Sequence, residues 1–254
     1  MAFMKIALLS DIHANWPALQ ACMAHARTQA VDQWAFLGDL VGYGAEPVPV
    51  LECVMQMAAQ GAWVLQGNHE VMALDPPPAS DTSLGAATAQ WTHEQLRSEH
   101  RDFIRGLPLT LDQPPLLLVH ASADVPQNWR YVEDAHAAGR CLDAAVALGG
   151  STHIMVGHVH TQALYYQGSG RSLMPFSPEP GVPVPVSPRR PLVACIGSCG
   201  QPRDRDPRAM YAIYDTVAAR MVFHRVAYNH KDAAAAIRRA GLPEMFAQRL
   251  EVGK

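Results

Sequence analysis

No stretch of this 254-residue chain approaches the roughly 18 consecutive apolar residues that mark a membrane span. Positive charge is not in excess either: 20 Lys and Arg against 23 Asp and Glu leave a net −3 and a pI near 6.4. Bulk electrostatic attraction therefore gives no strong nucleic-acid signal. The opening MAFMKIALLS lacks a basic leader and a cleavage site, so it reads as a first strand and not as a signal peptide. Cysteine is scarce and odd in number. Cys22, Cys53 and Cys141 fall on helix-like apolar faces, and Cys195 and Cys199 have neither zinc-knuckle spacing nor a second pair. Five reduced thiols in a cytoplasmic protein are the expectation, in line with where disulfides persist.

What is abundant is apolar material, at 49% of the chain, enough for a sizeable core. Over the first 160 residues, strand-like and helix-like patterns alternate. Residues 4–10, 33–37 and 62–65 read as strands. After Asn15 and Pro17, the residues Leu19, Cys22, Met23, Ala26 and Ala30 recur at helical spacing. Pro47 opens a second helix with Leu51, Val54, Met55 and Ala58 on one face. This β-α-β-α-β beginning implies parallel pairing with right-handed crossovers. Helical stretches near 83–96, 98–106 and 134–148 follow, with strands near 116–119 and 153–156. The last third changes character. Short runs at 162–166, 192–196, 210–215 and 221–227 suggest an antiparallel or mixed sheet before helices near 230–240 and 243–250. Residues 174–191, with seven prolines, read as a semi-rigid surface loop. No boundary divides the chain, which is expected to form one domain over 1–254.

Five of the apolar runs end in residues that favour metal ions. MKIALLS leads to Asp11 and His13, WAFL to Gly38-Asp39, WVLQ to Gly67-Asn68-His69-Glu70, LLLV to His120, and IMV to Gly157-His158-Val159-His160. A lone His or Asp at a strand end is usually just solvated. Parallel strands, however, gather their carboxyl ends along one edge, where ligands bind. Asp11 and His13 lie two apart, so both can point the same way. Imidazoles together with carboxylate and carbonyl oxygens suit first-row metals such as Mn²⁺, Fe²⁺ and Zn²⁺.

The ordered set D-x-H, G-D-x-x-x-x-G, G-N-H-E, H, G-H-x-H resembles the signature of the calcineurin-like metallophosphoesterases. It runs from Asp11 through Gly44 and on to His160, and the resemblance covers about residues 4–250. The strings SDIHAN, LGDLVGYG and GSCGQPRDRDPR look like its small bacterial and archaeal phosphodiesterase-type branch. The resemblance implies a four-layer αββα sandwich of two mixed sheets flanked by helices. It also implies two divalent ions (Mn²⁺, Fe²⁺/Fe³⁺ or Zn²⁺), one held by Asp11, His13, Asp39 and His160 and the other by Asp39, Asn68, His120 and His158. A metal-bridging hydroxide would be the nucleophile on a small phosphoester or nucleotide-type substrate. His69 would donate the proton or, with Asn68, bind the phosphate; Asp39 or Glu70 would steady it, and a capping or supporting role is the main reading for Glu70. Two ions about 3.5–4 Å apart suit such in-line displacement.

Within the same resemblance, Ser/Thr protein phosphatases carry an arginine inside the G-D block where this chain has Tyr43, which favours a diester over a monoester substrate. Dinucleoside polyphosphate hydrolysis and a non-catalytic scaffold are the other readings. Gly197-Ser198-Cys199-Gly200-Gln201-Pro202-Arg203 resembles a glycine-rich turn of that branch, serving either the metal centre or the joining of two strands. Asn128, Trp129, Arg130 and Tyr131 read as a solvated loop, with pocket lining the alternative. His25, His93, His100, His136, His153, His224 and His230 read as surface or packing residues.

Overall fold

In the computed structural model, which describes residues 4–78, 80–168, 170 and 172–254, the first apolar run is the strand β1 (Lys5–Leu9). Ile6 and Leu8 enter one apolar cluster, and Ala7 and Leu9 enter another. That split is the period-two alternation of a strand with both faces covered.

Two six-stranded sheets are built this way. The first has the order β3 (Trp63–Val64), β2 (Gln33–Phe36), β1, β11 (Ala209–Asp215), β12 (Arg220–Val226) and β9 (Pro183–Pro185). The second runs β4 (Thr110–Gln113), β5 (Leu116–Val119), β6 (His153–Val156), β10 (Leu192–Ile196), β7 (Gln162–Gln167) and β8 (Leu173–Phe176). Each sheet contains three mutually parallel neighbours, β3-β2-β1 and β5-β6-β10. The remaining pairings are antiparallel.

Between the sheets lie Ile6, Leu8, Leu116, Leu118, Met155, Ala194, Ile196 and Phe223. The helices α1 (Trp16–Thr28) and α2 (Pro47–Ala59) cover the outer face of the first sheet, where Leu19, Cys22, Leu51 and Val54 meet Leu9 and Phe36. On the outer face of the second sheet, α6 (Ala135–Gly149) sets Ala138, Cys141 and Ala145 against Val119, Ile154 and Val193. The result is the expected αββα sandwich of mixed sheets.

Local chemistry explains the starts of these helices. The Asn15 side chain accepts from the Ala18 amide at 3.2 Å, and the Asp134 carboxylate accepts from Ala137 N at 2.7 Å. Five further helices complete the described elements: α3 (Asn68–Leu74), α4 (Ala86–Gln95), α5 (Ser98–Arg105) and the closing pair α7 (His230–Arg239) with α8 (Glu244–Val252) packed on it. The helix α3 and the strand β4 are absent from the periodicity reading, since both are short.

The proline-rich segment departs from the expected loop. Its start and its middle form edge strands, β8 on the second sheet and β9 on the first. Edges tolerate proline because one side of the ladder stays unpaired. Val186 N donates to Ala219 O at 2.8 Å, so Val184 also faces β12, while Pro183 and Pro185 turn their N–H-less side outward.

All five cysteines are free thiols, and no helix among the described residues is long and apolar enough to cross a membrane. His153 joins the two sheets: Tyr214 O–H donates to its Nδ1 at 2.7 Å, and its Nε2–H donates to Ser187 O at 3.1 Å. This makes it the packing residue the sequence suggested.

Among the remaining histidines, burial and the nearby His25 push His224 down to about 4. It is therefore neutral in the fold and takes up a proton more readily once unfolded, near pH 6.5. Its contribution to stability is full above that pH and is lost as pH falls toward 4. In chelator-treated protein, the melting temperature of the wild type should drop more between pH 7.5 and 4.5 than that of His224→Gln. Equal slopes in calorimetry would contradict the assignment.

Candidate metal centre

The carboxyl ends of β1, β2 and β3 in one sheet meet those of β5 and β6 in the other. The loops after them carry Asp11 and His13, Asp39, Asn68 and His69, His120, and His158 with His160. All of these side chains are buried except that of Asn68, which is half-buried.

The backbone is unusual at these positions. Asp11 (φ 53°), His13 (49°), Asp39 (51°), His158 (64°) and His160 (64°) are all left-handed. Each such non-glycine residue costs on the order of 1–3 kcal/mol and persists only where its surroundings over-determine it. Here Asp11 N donates to Gly38 O at 3.0 Å and His13 N to Asp39 O at 2.9 Å, which ties the first two loops together. The amide of His158 donates to both Asp11 oxygens, at 3.1 and 2.9 Å. Gly42, at φ 83°, leaves the space that the His69 ring fills.

Three imidazoles are oriented by backbone carbonyls. Nδ1 of His13, His120 and His160 lies 3.1, 2.7 and 2.7 Å from Val41 O, Leu37 O and Gln201 O respectively. A carbonyl only accepts, so each Nδ1 carries the hydrogen and each Nε2 turns inward. There, His13 Nε2 lies 3.1 Å from His160 Nε2, and His160 Nε2 lies 3.2 Å from Asp11 Oδ1. Asp39 Oδ2 lies 3.3 Å from His120 Nε2 and 3.7 Å from His13 Nε2, and His120 Nε2 lies 3.2 Å from His158 Nδ1. Two inward lone pairs at such a distance repel unless a cation sits between them. Donors bound to one ion at 2.0–2.2 Å are themselves roughly 3.0–3.5 Å apart, so the spacing fits a coordination shell. Asn68 Oδ1 is buried without a hydrogen-bond partner. The described residues therefore fit divalent metal.

Charge reinforces this. Asp11 and Asp39 meet no Lys or Arg within 4.0 Å among the described residues. Burial alone would raise both carboxyls, but His160 beside Asp11 and His120 beside Asp39 hold them below the ordinary range. Burial would lower His120, yet the Asp39 carboxylate drives it up to about 10. The two buried carboxylates thus call for positive charge, which a metal can supply in place of that proton. Burial lowers His13 and His69, and it brings His158 to about 4.

Glu70 has a definite place. Its Oε2 accepts from Asp39 N at 2.8 Å and from Gly67 N at 2.7 Å, and its Oε1 accepts from Leu40 N at 2.8 Å and Val41 N at 3.2 Å. Burial and the Asp39 charge push it up to about 7, whereas four amide donors favour the ionised form. Of the two acids suggested to steady His69, Asp39 is the one that does so: its Oδ1 accepts from the His69 amide at 2.9 Å.

The glycine-rich turn braces the first loop. Cys199 N donates to Ser10 O at 2.9 Å, Gly200 N to Asp11 O at 2.9 Å, and Ser198 Oγ to Asp11 O at 2.8 Å. A side chain at Gly200 would collide with Ile12 O. The centre opens through a narrow cleft of about 20 Å³, lined by Asp39, Asn68, His69 and the two late histidines together with Tyr43, Tyr131 and Arg203. That volume is room for about one water. Larger hollows of about 340 and 440 Å³ lie away from these residues. Asn128, Arg130 and Tyr131 are exposed, as the solvated-loop reading expects, and Tyr131 also meets the pocket-lining alternative. Its ring stacks on His158 at 4.1 Å, and the ring of Trp129 lies 5.9 Å from that of His120.

Two facing mixed sheets with a buried Asp/His cluster at their joined carboxyl ends define an α/β metal-site protein. The chain matches the calcineurin-like phosphoesterase superfamily domain over residues 4–219, and it belongs to that superfamily. It is similar to a metallophosphoesterase from Sphaerobacter thermophilus, at 34% identity and a TM-score of 0.86, over 99% of this chain and 100% of the other. A protein of Methanocaldococcus jannaschii, MJ0912, is 28% identical over 98% of each chain. The hypothetical protein PH1004 of Pyrococcus horikoshii OT3 shares the fold at a TM-score of 0.78 and 21% identity, over 98% of both chains. The chain is accordingly a phosphoesterase-type hydrolase with a site suited to divalent metal.

Replacing one Glu70 oxygen by an amide, as in Glu70→Gln, sets an N–H group against backbone N–H donors. Chemical denaturation should show a loss of about 2–4 kcal/mol, and mass spectrometry of the native protein should show less bound metal. Wild-type stability and metal content would remove Glu70 from this role.

Proposed function

We propose that the protein hydrolyses phosphodiesters with a pair of divalent metal ions, one held by Asp11, His13, Asp39 and His160 and the other by Asp39, Asn68, His120 and His158. The observation that carries this reading is the double set of inward donors sharing Asp39, at ligand-to-ligand spacing and with no Lys or Arg within 4.0 Å of the carboxylates among the described residues. When bound, such a pair supplies an activated water at neutral pH and charge to stabilise an in-line displacement.

The chain's own residues supply the rest. His69 sits at the start of α3, its amide fixed by Asp39 and its ring edge-on to His13 (4.8 Å) and Tyr43 (4.3 Å). It lines the cleft, so its imidazole is in position to give a proton to the leaving oxygen or to hold a phosphate oxygen. Burial keeps that ring neutral in the free protein. An entering oxyanion would raise its proton affinity at the moment a proton is needed.

A diester is favoured because Tyr43 stands at the position where protein phosphatases place an arginine for a monoester dianion. A cytoplasmic location and a small phosphoester or nucleotide-type substrate complete the reading.

Asp39→Asn should abolish turnover and lower bound metal. His69→Ala should keep the metal but slow the chemical step by roughly 10²–10⁴, the usual worth of a general acid. Assays of bis-p-nitrophenyl phosphate against the monoester, with Mn²⁺, Fe²⁺ and Zn²⁺ in turn, should show faster turnover of the diester. A tenfold monoester preference, or metal loss in His69→Ala, would contradict the assignments.

A further inference from the structure

Arg203 in the cleft lining and Arg249 on α8 each have a buried guanidinium nitrogen without a partner among the described residues. Arg203, on the glycine-rich turn, lines the cleft. Its Nη2 donates to Gln201 Oε1 at 3.0 Å, while its Nε is buried without a partner. Arg249, on α8, likewise has a buried Nη1 without a partner. Neither lies within 4.0 Å of a carboxylate among the described residues, whereas Arg97, Arg130, Arg208, Arg225 and Arg238 all do.

Aromatic faces hold the two arginines in place. The guanidinium of Arg203 lies over the Tyr43 ring at 5.8 Å, Tyr43 stacks on Phe246 at 4.9 Å, and Arg249 lies over Phe246 at 5.9 Å. Cation–π contacts orient such groups without neutralising them. Burial, and then the charge of Arg203, hold Arg249 below its ordinary range. Both cations lie over one Tyr43–Phe246 stack, so an anion between them would relieve their mutual repulsion. Unpaired charged donors at a cleft are costly unless something arrives to satisfy them.

We propose that Arg203, backed by Arg249, binds a second anionic group of the substrate, a phosphate adjoining the scissile one. This rests on the phosphodiester reading above and narrows its substrate class to diesters that carry a further phosphate beside the scissile one. The scissile group already meets the donor cluster, Asn68 and His69. Arg203 shares the cleft lining with Asn68 and His69 and lies over Tyr43, and Arg249 is joined to it through the Tyr43–Phe246 stack. Arginine suits the task because its planar fork can grip a phosphate through two N–H groups.

AMP and ADP differ by one phosphate, and titration calorimetry of the metal-loaded protein with each tests the idea. The wild type should bind ADP at least tenfold more tightly than AMP. Arg203→Gln should remove most of that difference while weakening AMP less than threefold. Arg203→Lys should restore part of it, and Arg249→Gln should reduce it by a smaller factor. Melting curves and metal content confirm that each variant is folded and loaded. A wild type without the ADP preference, or an Arg203→Gln protein that loses both ligands equally, overturns the proposal. If the ADP preference is present and depends on Arg203 but no phosphoester is hydrolysed, the anion site stands and the hydrolase reading falls. Turnover without the preference removes the anion site and leaves the hydrolase reading in place.

Discussion

Three carbonyl oxygens decide what this molecule can hold. Leu37 O, Val41 O and Gln201 O each take the Nδ1–H of one imidazole, so the Nε2 lone pairs of His120, His13 and His160 all face one point. Reversing any of these rings would present a hydrogen to the centre instead. The carbonyls belong to the loops that leave the strands, so ring orientation is inherited from sheet topology. Two parallel triplets, one in each sheet, deliver those loops to a common edge. The core between the sheets, from Ile6 to Phe223, sets how closely the two edges approach.

Such a centre works against the stability of the chain that builds it. Five left-handed residues and two buried carboxylates without a Lys or Arg within 4.0 Å among the described residues are unfavourable features concentrated in one place. They are held by hydrogen bonds that cross between loops, with the four amides on Glu70 the densest example. Preorganisation of this kind is expected where function requires it, because charges placed before the ligand arrives need no rearrangement during the reaction. Bound cations would offset the electrostatic part of the cost, linking metal affinity to folding.

Much of the fold was legible because period-two and period-3.6 patterns are local. Leu19, Cys22 and Met23 marked α1, and the apolar runs marked β1, β2, β5 and β6 with boundaries close to those observed. The convergence of the Asp and His residues was legible as well, since each follows a strand that must end at the same edge. What escaped was non-local or conformational. Nothing within a few residues of Glu70 reveals that it clamps amides 29 to 31 positions earlier in the chain. The left-handed backbone at Asp11 or His158 has no glycine to announce it. Arg203 lies about 40 residues beyond the last metal-type motif, and only packing of the turn against Ile12 and of α8 against Tyr43 brings its charge to the cleft. In the proline-rich segment, composition argued rightly against a central strand, but it could not reveal that sheet edges were open to receive Pro175, Pro183 and Pro185.

The most direct measurement is anomalous X-ray diffraction from crystals grown with Mn²⁺. Two peaks per chain are expected, about 3.5–4 Å apart, on either side of the Asp39 carboxylate, with His13 and His160 at one and His120 and His158 at the other. A single peak, or manganese bound away from Asp39, would contradict the shared-carboxylate centre.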